Sequence, residues 1–339
     1  MRIRPRSSAS LTALGLAVAL SFATHLTAQD QKVPRTADGK PDLQGIWKNN
    51  SVTPLERPTQ WAGKQVLTDA ELENLKKLTA DVIEGGGDAV FGDGLVQAAL
   101  DKQKNPISYD PGTGNYNHFW MVERDVEDRR TSLITDPPDG RLPPMTPEAR
   151  ERVMAAADRR RLQPSDNPED RGLGERCVNF GVPKLGAGYN NYYQIFQTAT
   201  HVVFLSEMAH DARIIPLDGR PHLPASVQLW NGDPRGRWEG DTLVVESRNF
   251  SPKSDFRGSR ERLHLVERFT RVRPDTLNYE VTVTDPTTWT RPWTAMIPLK
   301  STSEPIFEYA CHEGNHSLVG ILKGARTVER SSSSSSGSR

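Results

Sequence analysis

The sequence predicts a mainly β protein: an antiparallel up-and-down barrel or strongly curled meander, calycin-like, with two to three peripheral helices. The first observation is a succession of short β-branched and aromatic runs between Tyr192 and Cys311. They are Gln194–Thr198, Val202–Glu207, Ile214–Leu217, Leu243–Ser247, Leu263–Val272, Leu277–Thr284 and Ile306–Cys311. The second is the turn chemistry between them. Asp218-Gly219, Glu239-Gly240-Asp241 and Arg273-Pro274-Asp275 stand where hairpins must reverse. The third is composition: 35% hydrophobic residues with 26 Gly and 25 Pro suits a turn-rich chain better than a wide helical core. Sequential hairpins curl and close because closure removes exposed edges, and the inside of a small barrel often holds a ligand.

Taken in order, residues 1–28 read as a secretory signal peptide. Arg2, Arg4 and Arg6 precede a short apolar run, Leu11–Ala23, and Ala23 and Ala28 end small-residue cleavage sites. The run is short for a membrane span, and no later segment is apolar enough for one. Residues 29–330 read as a single barrel-centred domain, its N-terminal half wrapping the barrel. Leu43–Trp47 is an opening strand. Thr68-Asp69-Ala70-Glu71 is a capping box, followed by Leu72, Leu75, Leu78 and Val82 on one helical face and by Gly85-Gly86-Gly87. The chain from Ala89 to Asp128 has no clear period. Ser132–Thr135 and Arg141–Pro144 flank the turn Pro137-Pro138-Asp139-Gly140, where Pro fixes φ and Gly accepts a positive one. A second helix starts at Thr146-Pro147-Glu148 and runs to about Arg161, since Thr caps, Pro suits the first position and Glu complements the dipole. A closing helix fits Ser317–Val328, although Gly320 and Gly324 weaken it. Residues 331–339 form a serine-rich tail, read as disordered.

Lys+Arg and Asp+Glu both total 43, so the formal net charge is zero, and no basic face points to nucleic acid. The only cysteines are Cys177 and Cys311. After export such a pair suggests a disulfide, while two buried thiols remain the alternative.

Three groups of residues have the chemistry for a site. His312-Glu313-Gly314-Asn315-His316 matches the H-E-x-x-H zinc motif. That mechanism needs a helix beneath the motif, whereas here a strand and a Gly-Asn turn are expected, so no metal is assigned. The second group comes from strand parity. Glu267 shares a face with Leu263, Leu265 and Phe269, and Glu308 and His312 share one with Ile306 and Ala310. An inward carboxylate or imidazole needs a partner or a function. The third is Tyr189-Asn190-Asn191-Tyr192-Tyr193, an aromatic and amide-rich rim, with Glu207, His210 and Asp211 at the next hairpin end. Nucleophile elbow, P-loop and dinucleotide fingerprints are absent, and no cofactor is expected.

Several phrases carry a resemblance: Pro41–Trp47, Asp136–Arg141, Leu217–His222, Gly236–Val245 and Thr290–Thr294. Together they resemble a large uncharacterised family of exported bacterial proteins, over about residues 40–325. The resemblance implies export and a shared fold; it implies no activity and no catalytic residue.

The reading that results is an exported, periplasmic or secreted, small-molecule-binding barrel. Asn190, Asn191, Tyr192, Tyr193, Arg291 and Trp293 are the expected ligand-binding residues. A cofactor-independent lyase, isomerase or hydrolase is the alternative, with His210, Glu207, His312 and Glu308 as its acid–base groups. A zinc hydrolase at His312 and His316 is a third.

Overall fold

The computed structural model describes residues 32–86, 88–90, 94–103, 118–121, 123–186 and 188–336. The expected signal peptide lies outside them. Lys32–Arg339 forms one unit. Among the described residues its centre is a single antiparallel sheet of ten strands: β1 Gly45–Lys48, β2 Ile134–Asp136, β3 Tyr192–Gln197, β4 His201–Ser206, β5 Ala212–Pro216, β6 Asp233–Glu239, β7 Thr242–Arg248, β8 His264–Arg273, β9 Thr276–Thr284 and β10 Trp293–Thr302. The order is β5-β4-β3-β1-β10-β9-β8-β7-β6, with β2 added beside β10. Two meanders, β3 to β5 and β6 to β10, are thus joined by the N-terminal strand. Trp47 of β1 faces Tyr193 on one side and Ser301 on the other.

The sheet is strongly curled without being a closed barrel. Among the described residues no backbone ladder joins the end strands β5 and β6. They meet through side chains at Gly236. A Cβ there would stand 2.6 Å from Leu217 Cδ2 and 2.8 Å from Ile215 Cγ2, so only glycine lets the two strands approach this closely.

Period-2 alternation turns one face of every long strand inward. On β8 to β10, Leu265, Phe269, Leu277, Tyr279, Val281, Val283, Trp293, Ala295, Ile297 and Leu299 are buried, and they join Val202, Phe204, Ile215, Leu243 and Val245 in one core. Phe269 stacks on Tyr279 at 4.8 Å and packs on Phe204 at 4.5 Å between ring centres.

Four α-helices flank the sheet among the described residues: α1 Asp69–Glu84, α2 Gly94–Leu100, α3 Pro147–Leu162 and α4 His316–Ser336. At α1 the capping box forms. Thr68 Oγ1 accepts from the Glu71 N–H, and Glu71 Oε2 accepts from the Thr68 N–H at 2.8 Å. Leu72, Leu75 and Val82 then pack against Leu95 and Val96 of α2 in a second, smaller core. Thr146 caps α3 as expected, with Pro147 in the first turn. No helix of the described residues is long and apolar enough to cross a membrane.

Several expectations change. Asp233–Glu239 and Trp293–Thr302 are strands that the pattern did not single out, and α2 is an added helix. Ile306–Cys311 is not a strand, because both sides of β10 are already occupied, by β9 and by β1 and β2. The segment after β10 runs instead as an irregular strap. Helix α4 continues to Ser336, through residues read as a structureless tail. Ser331 Oγ donates to Thr327 O and Ser332 Oγ to Glu329 O, which occupies the hydroxyls that would otherwise compete with the helix.

Candidate functional site

The polar residues of the inward face converge on one pocket inside the curl. Arg213 is the inward residue of β5 beside Ile215, and its side chain crosses the interior. Arg213 Nη1 donates to Glu267 Oε1 of β8 at 3.0 Å, Nη2 donates to Glu267 Oε2, and Nη2 also reaches Ser247 Oγ of β7 at 3.2 Å. The Tyr279 hydroxyl donates to Glu267 Oε1 at 2.8 Å. Glu267 is fully buried, and its two oxygens accept three hydrogen bonds. Burial works against the Arg213 charge, but the facing carboxylate more than restores it and holds the guanidinium above its ordinary value. This group closes the seam from within, tying β5 to β7 and β8 where the backbone does not pair.

Beside it lies a second polar group. Lys184 comes from the loop between Cys177 and β3, and its Nζ donates to Ser206 Oγ of β4 at 2.5 Å. The Ser206 N–H donates to Asp211 O at 2.8 Å, so the β4–β5 connection carries both residues. Burial pushes the Lys184 amine down to about 8; the Asp211 carboxylate restores part of the loss, and the Arg213 charge adds to it. Burial likewise raises the Asp211 carboxyl, while the Lys184 charge and a hydrogen bond from the Phe180 backbone counter it. Burial also raises the phenols of Tyr193 and Tyr279, which therefore remain neutral at physiological pH.

The pocket between these groups is walled by Val182, Tyr193, Phe204, Phe269, Tyr279 and Leu299. Its cavity volume is ≈ 50 Å³, and it opens through a mouth to solvent. Three of the residues that line it carry a buried polar atom with no hydrogen-bond partner: Arg213 Nε, Asp211 Oδ2 and Asn231 Oδ1. A wider surface depression (≈ 900 Å³) is lined by Arg57, Gln65, Asp139 and Arg141. Its central Arg57 is already committed to Thr131 Oγ1, Pro138 O and Asp139 O, and it is a structural arginine.

The residues expected from sequence divide sharply. Tyr193 lines the pocket. Asn191 is buried next to it, but its amide donates to Asn49 O and Gly186 O, and its oxygen accepts from the Tyr193 hydroxyl. It holds the β1–β3 junction and supports the pocket wall. Asn190 occupies a left-handed turn position, φ 47°. Tyr192 points from the opposite face of β3 and donates to Glu304. Arg291 is half-exposed and pairs with Asp136. Trp293 is fully buried against Trp289 and Phe256 and is a core residue.

The expected acid–base set is not assembled. Glu308 and His312 are exposed, because the segment carrying them is not a strand and has no inward face. His210 is exposed too; its ring accepts from the Tyr309 N–H, with Nε2 at 3.1 Å. Glu207 is buried, and its Oε1 accepts from the Phe307 N–H at 3.1 Å. Glu207 and His210 therefore clasp the strap after β10 to the β4–β5 connection. His312 and His316 form no metal cluster with other ligands among the described residues.

The strap has a third fastening. Cys177 and Cys311 are joined in a disulfide, with Cα atoms 5.7 Å apart, and Tyr309 meets the Phe180 ring edge-on. Cys311 thus lies beyond the last strand, not on it. The strap rests on the same two loops, Cys177–Lys184 and Glu207–Asp211, that supply Lys184 and Asp211 to the pocket. Lys184 itself carries no periodic signal: it sits in a Pro- and Gly-rich loop, and only its contact with Ser206 reveals it. Comparison with protein-family models, curated proteins and solved structures gives no match.

Proposed function

We propose that the protein is an exported carrier or sensor of a small molecule, held in the pocket inside the curled sheet. The ligand has an apolar or aromatic body and a polar head. One observation carries this reading: Arg213, Asp211 and Asn231, each with a buried polar atom that lacks a hydrogen-bond partner, line a pocket whose walls are aromatic and aliphatic. Pockets of this kind combine apolar walls with a few fixed polar groups that orient the ligand. The small internal space argues for a compact ligand whose remainder projects through the mouth. Export is supported by the basic and apolar start of the chain, by the resemblance to exported proteins and by the disulfide, since such bonds persist in oxidising compartments.

Thermal-shift screening of a library of small aromatic and aliphatic alcohols, aldehydes and carboxylic acids tests the reading. A true ligand at about 100 times its dissociation constant adds about 2.7 kcal/mol to stability. Phe204→Ala should abolish the shift by removing a wall. A library hit that stabilises Phe204→Ala as much as wild type places binding elsewhere and defeats the proposal.

A second reading, an acid–base enzyme, is favoured by the Lys184–Ser206 contact beside Asp211. A depressed amine next to a hydroxyl is one way to activate a nucleophile. In that reading the proton-transfer pair is Lys184 and Asp211 rather than His210 and Glu207.

A further inference from the structure

The pocket holds an amine placed to react as well as to bind. We infer that Lys184 is a covalent site for carbonyl compounds, capturing a small aldehyde or ketone as a reversible imine. This deepens the binding reading above and rests on it.

Three features of the geometry carry the inference. First, Lys184 Nζ is held at one point inside an apolar-walled pocket by Ser206 Oγ at 2.5 Å. Second, Asp211 lines the same pocket with its Oδ2 buried and without a hydrogen-bond partner, on the loop that positions Ser206, and its charge acts on the amine through space. Third, the strong cation of the pocket, Arg213, is already neutralised by Glu267. The site therefore gives an anionic ligand no spare arginine, and it suits a neutral carbonyl. Desolvation of a lysine in an apolar pocket is a recognised way of making it nucleophilic, and the depressed amine agrees with the geometry.

The step balances without any added reagent. The neutral amine attacks the carbonyl carbon, and a C–N bond forms. Asp211 accepts a proton from the nitrogen through one intervening water and returns it to the oxygen, giving a carbinolamine. The C–O bond then breaks, and the oxygen leaves as water with both hydrogens of the original amine. Hydrolysis runs the same path backwards, so capture is reversible.

The groups facing the amine are Asp211, Arg213 and Ser206, with Glu267 and the phenols of Tyr193 and Tyr279 completing the lining. The phenols stay protonated over the range tested, and Arg213 stays charged. The pH dependence of capture therefore belongs to the Lys184–Asp211 pair, and labelling should rise as pH passes through about 8.

The experiment treats the full mature protein with benzaldehyde and sodium cyanoborohydride, then maps modified peptides by mass spectrometry. Expected is a single benzyl adduct on Lys184 at aldehyde concentrations that leave the exposed Lys77, Lys102, Lys253 and Lys323 unmodified. Lys184→Arg should remove the adduct, and Asp211→Asn should slow its formation by at least about 10²-fold, the usual contribution of a positioned acid–base group. Modification spread over the exposed lysines with Lys184 untouched overturns the inference, and the map of the wild-type protein decides this even if a variant fails to fold. Benzyl alcohol, which cannot form an imine, separates the two readings. If calorimetry shows that it binds while benzaldehyde leaves Lys184 unlabelled, the imine fails and the pocket stands. If neither compound engages the pocket, both readings fail.

Discussion

Arg213 and Glu267 show what a single pair of side chains does for a sheet that does not close. Glu267 is fully buried and Arg213 nearly so, and they pair with each other, with Tyr279 and Ser247 adding further hydrogen bonds. Removing one partner strands a charge in the core, which costs about 3–5 kcal/mol, whereas replacing the whole pair by apolar residues is often neutral. Arg213→Ala should therefore lower stability by that amount, measured by urea unfolding. Arg213→Met combined with Glu267→Gln should recover much of the loss. If Arg213→Ala costs less than about 1 kcal/mol, as an exposed pair would, the pair does not hold the seam. Glu267 was legible in the sequence, because its parity with Leu263, Leu265 and Phe269 forces it inward. Arg213 was not, because β5 is short and its inward neighbour Ile215 sits beside the equally apolar but exposed Ile214. Lys184 was hidden for a different reason: loop residues have no period from which to read a direction.

At the scale of elements, legibility followed the regularity of the local pattern. Helix α1 and the long β7, β8 and β9 carry a clear apolar pattern, α3 carries a clear N-terminal cap, and all of them fold as expected. β10 was concealed by Pro298, which ordinarily argues against a central strand. The register explains why it is tolerated. Met296 donates to Leu133 O on the side away from β9, and Pro298 has the same parity. Its missing N–H therefore faces the interval between the β2 partners, Thr294 and Ala295, and the β1 partners, which begin at Lys300. No ladder bond is lost. β6 was concealed by Pro234, Gly236 and alternating charges, which suit an end strand. Gly236 is also the point at which β6 meets β5. Gly236→Ala should cost about 1–3 kcal/mol through overpacking against Ile215 and Leu217. In a double-mutant cycle, Ile215→Ala should relieve part of that cost. Strict additivity of the two substitutions, measured by thermal unfolding, would mean that the strands do not meet there.

At the scale of the molecule, the strap after β10 connects pocket and stability. Its fastenings are of two kinds. Glu207 and His210 accept from its backbone, and the Cys177–Cys311 bond ties it covalently to the loop that bears Lys184. The sequence revealed the two cysteines and the acidic and imidazole groups. It could not reveal that they serve one clasp, because that depends on the segment around Tyr309 leaving the sheet once both flanks of β10 are occupied. The bond closes a loop spanning 134 residues, and loss of such a bond costs about 2–5 kcal/mol. Thiol titration of denatured, non-reduced protein should find no free thiol, since both cysteines are paired. Cys177→Ser with Cys311→Ser should lower the unfolding midpoint and also weaken ligand binding, because the Cys177–Lys184 loop loses its anchor. A purely structural bond predicts a lower midpoint with unchanged affinity for any ligand that binds wild type. Measuring both on the same variant separates a clasp that shapes the pocket from one that only holds the chain together.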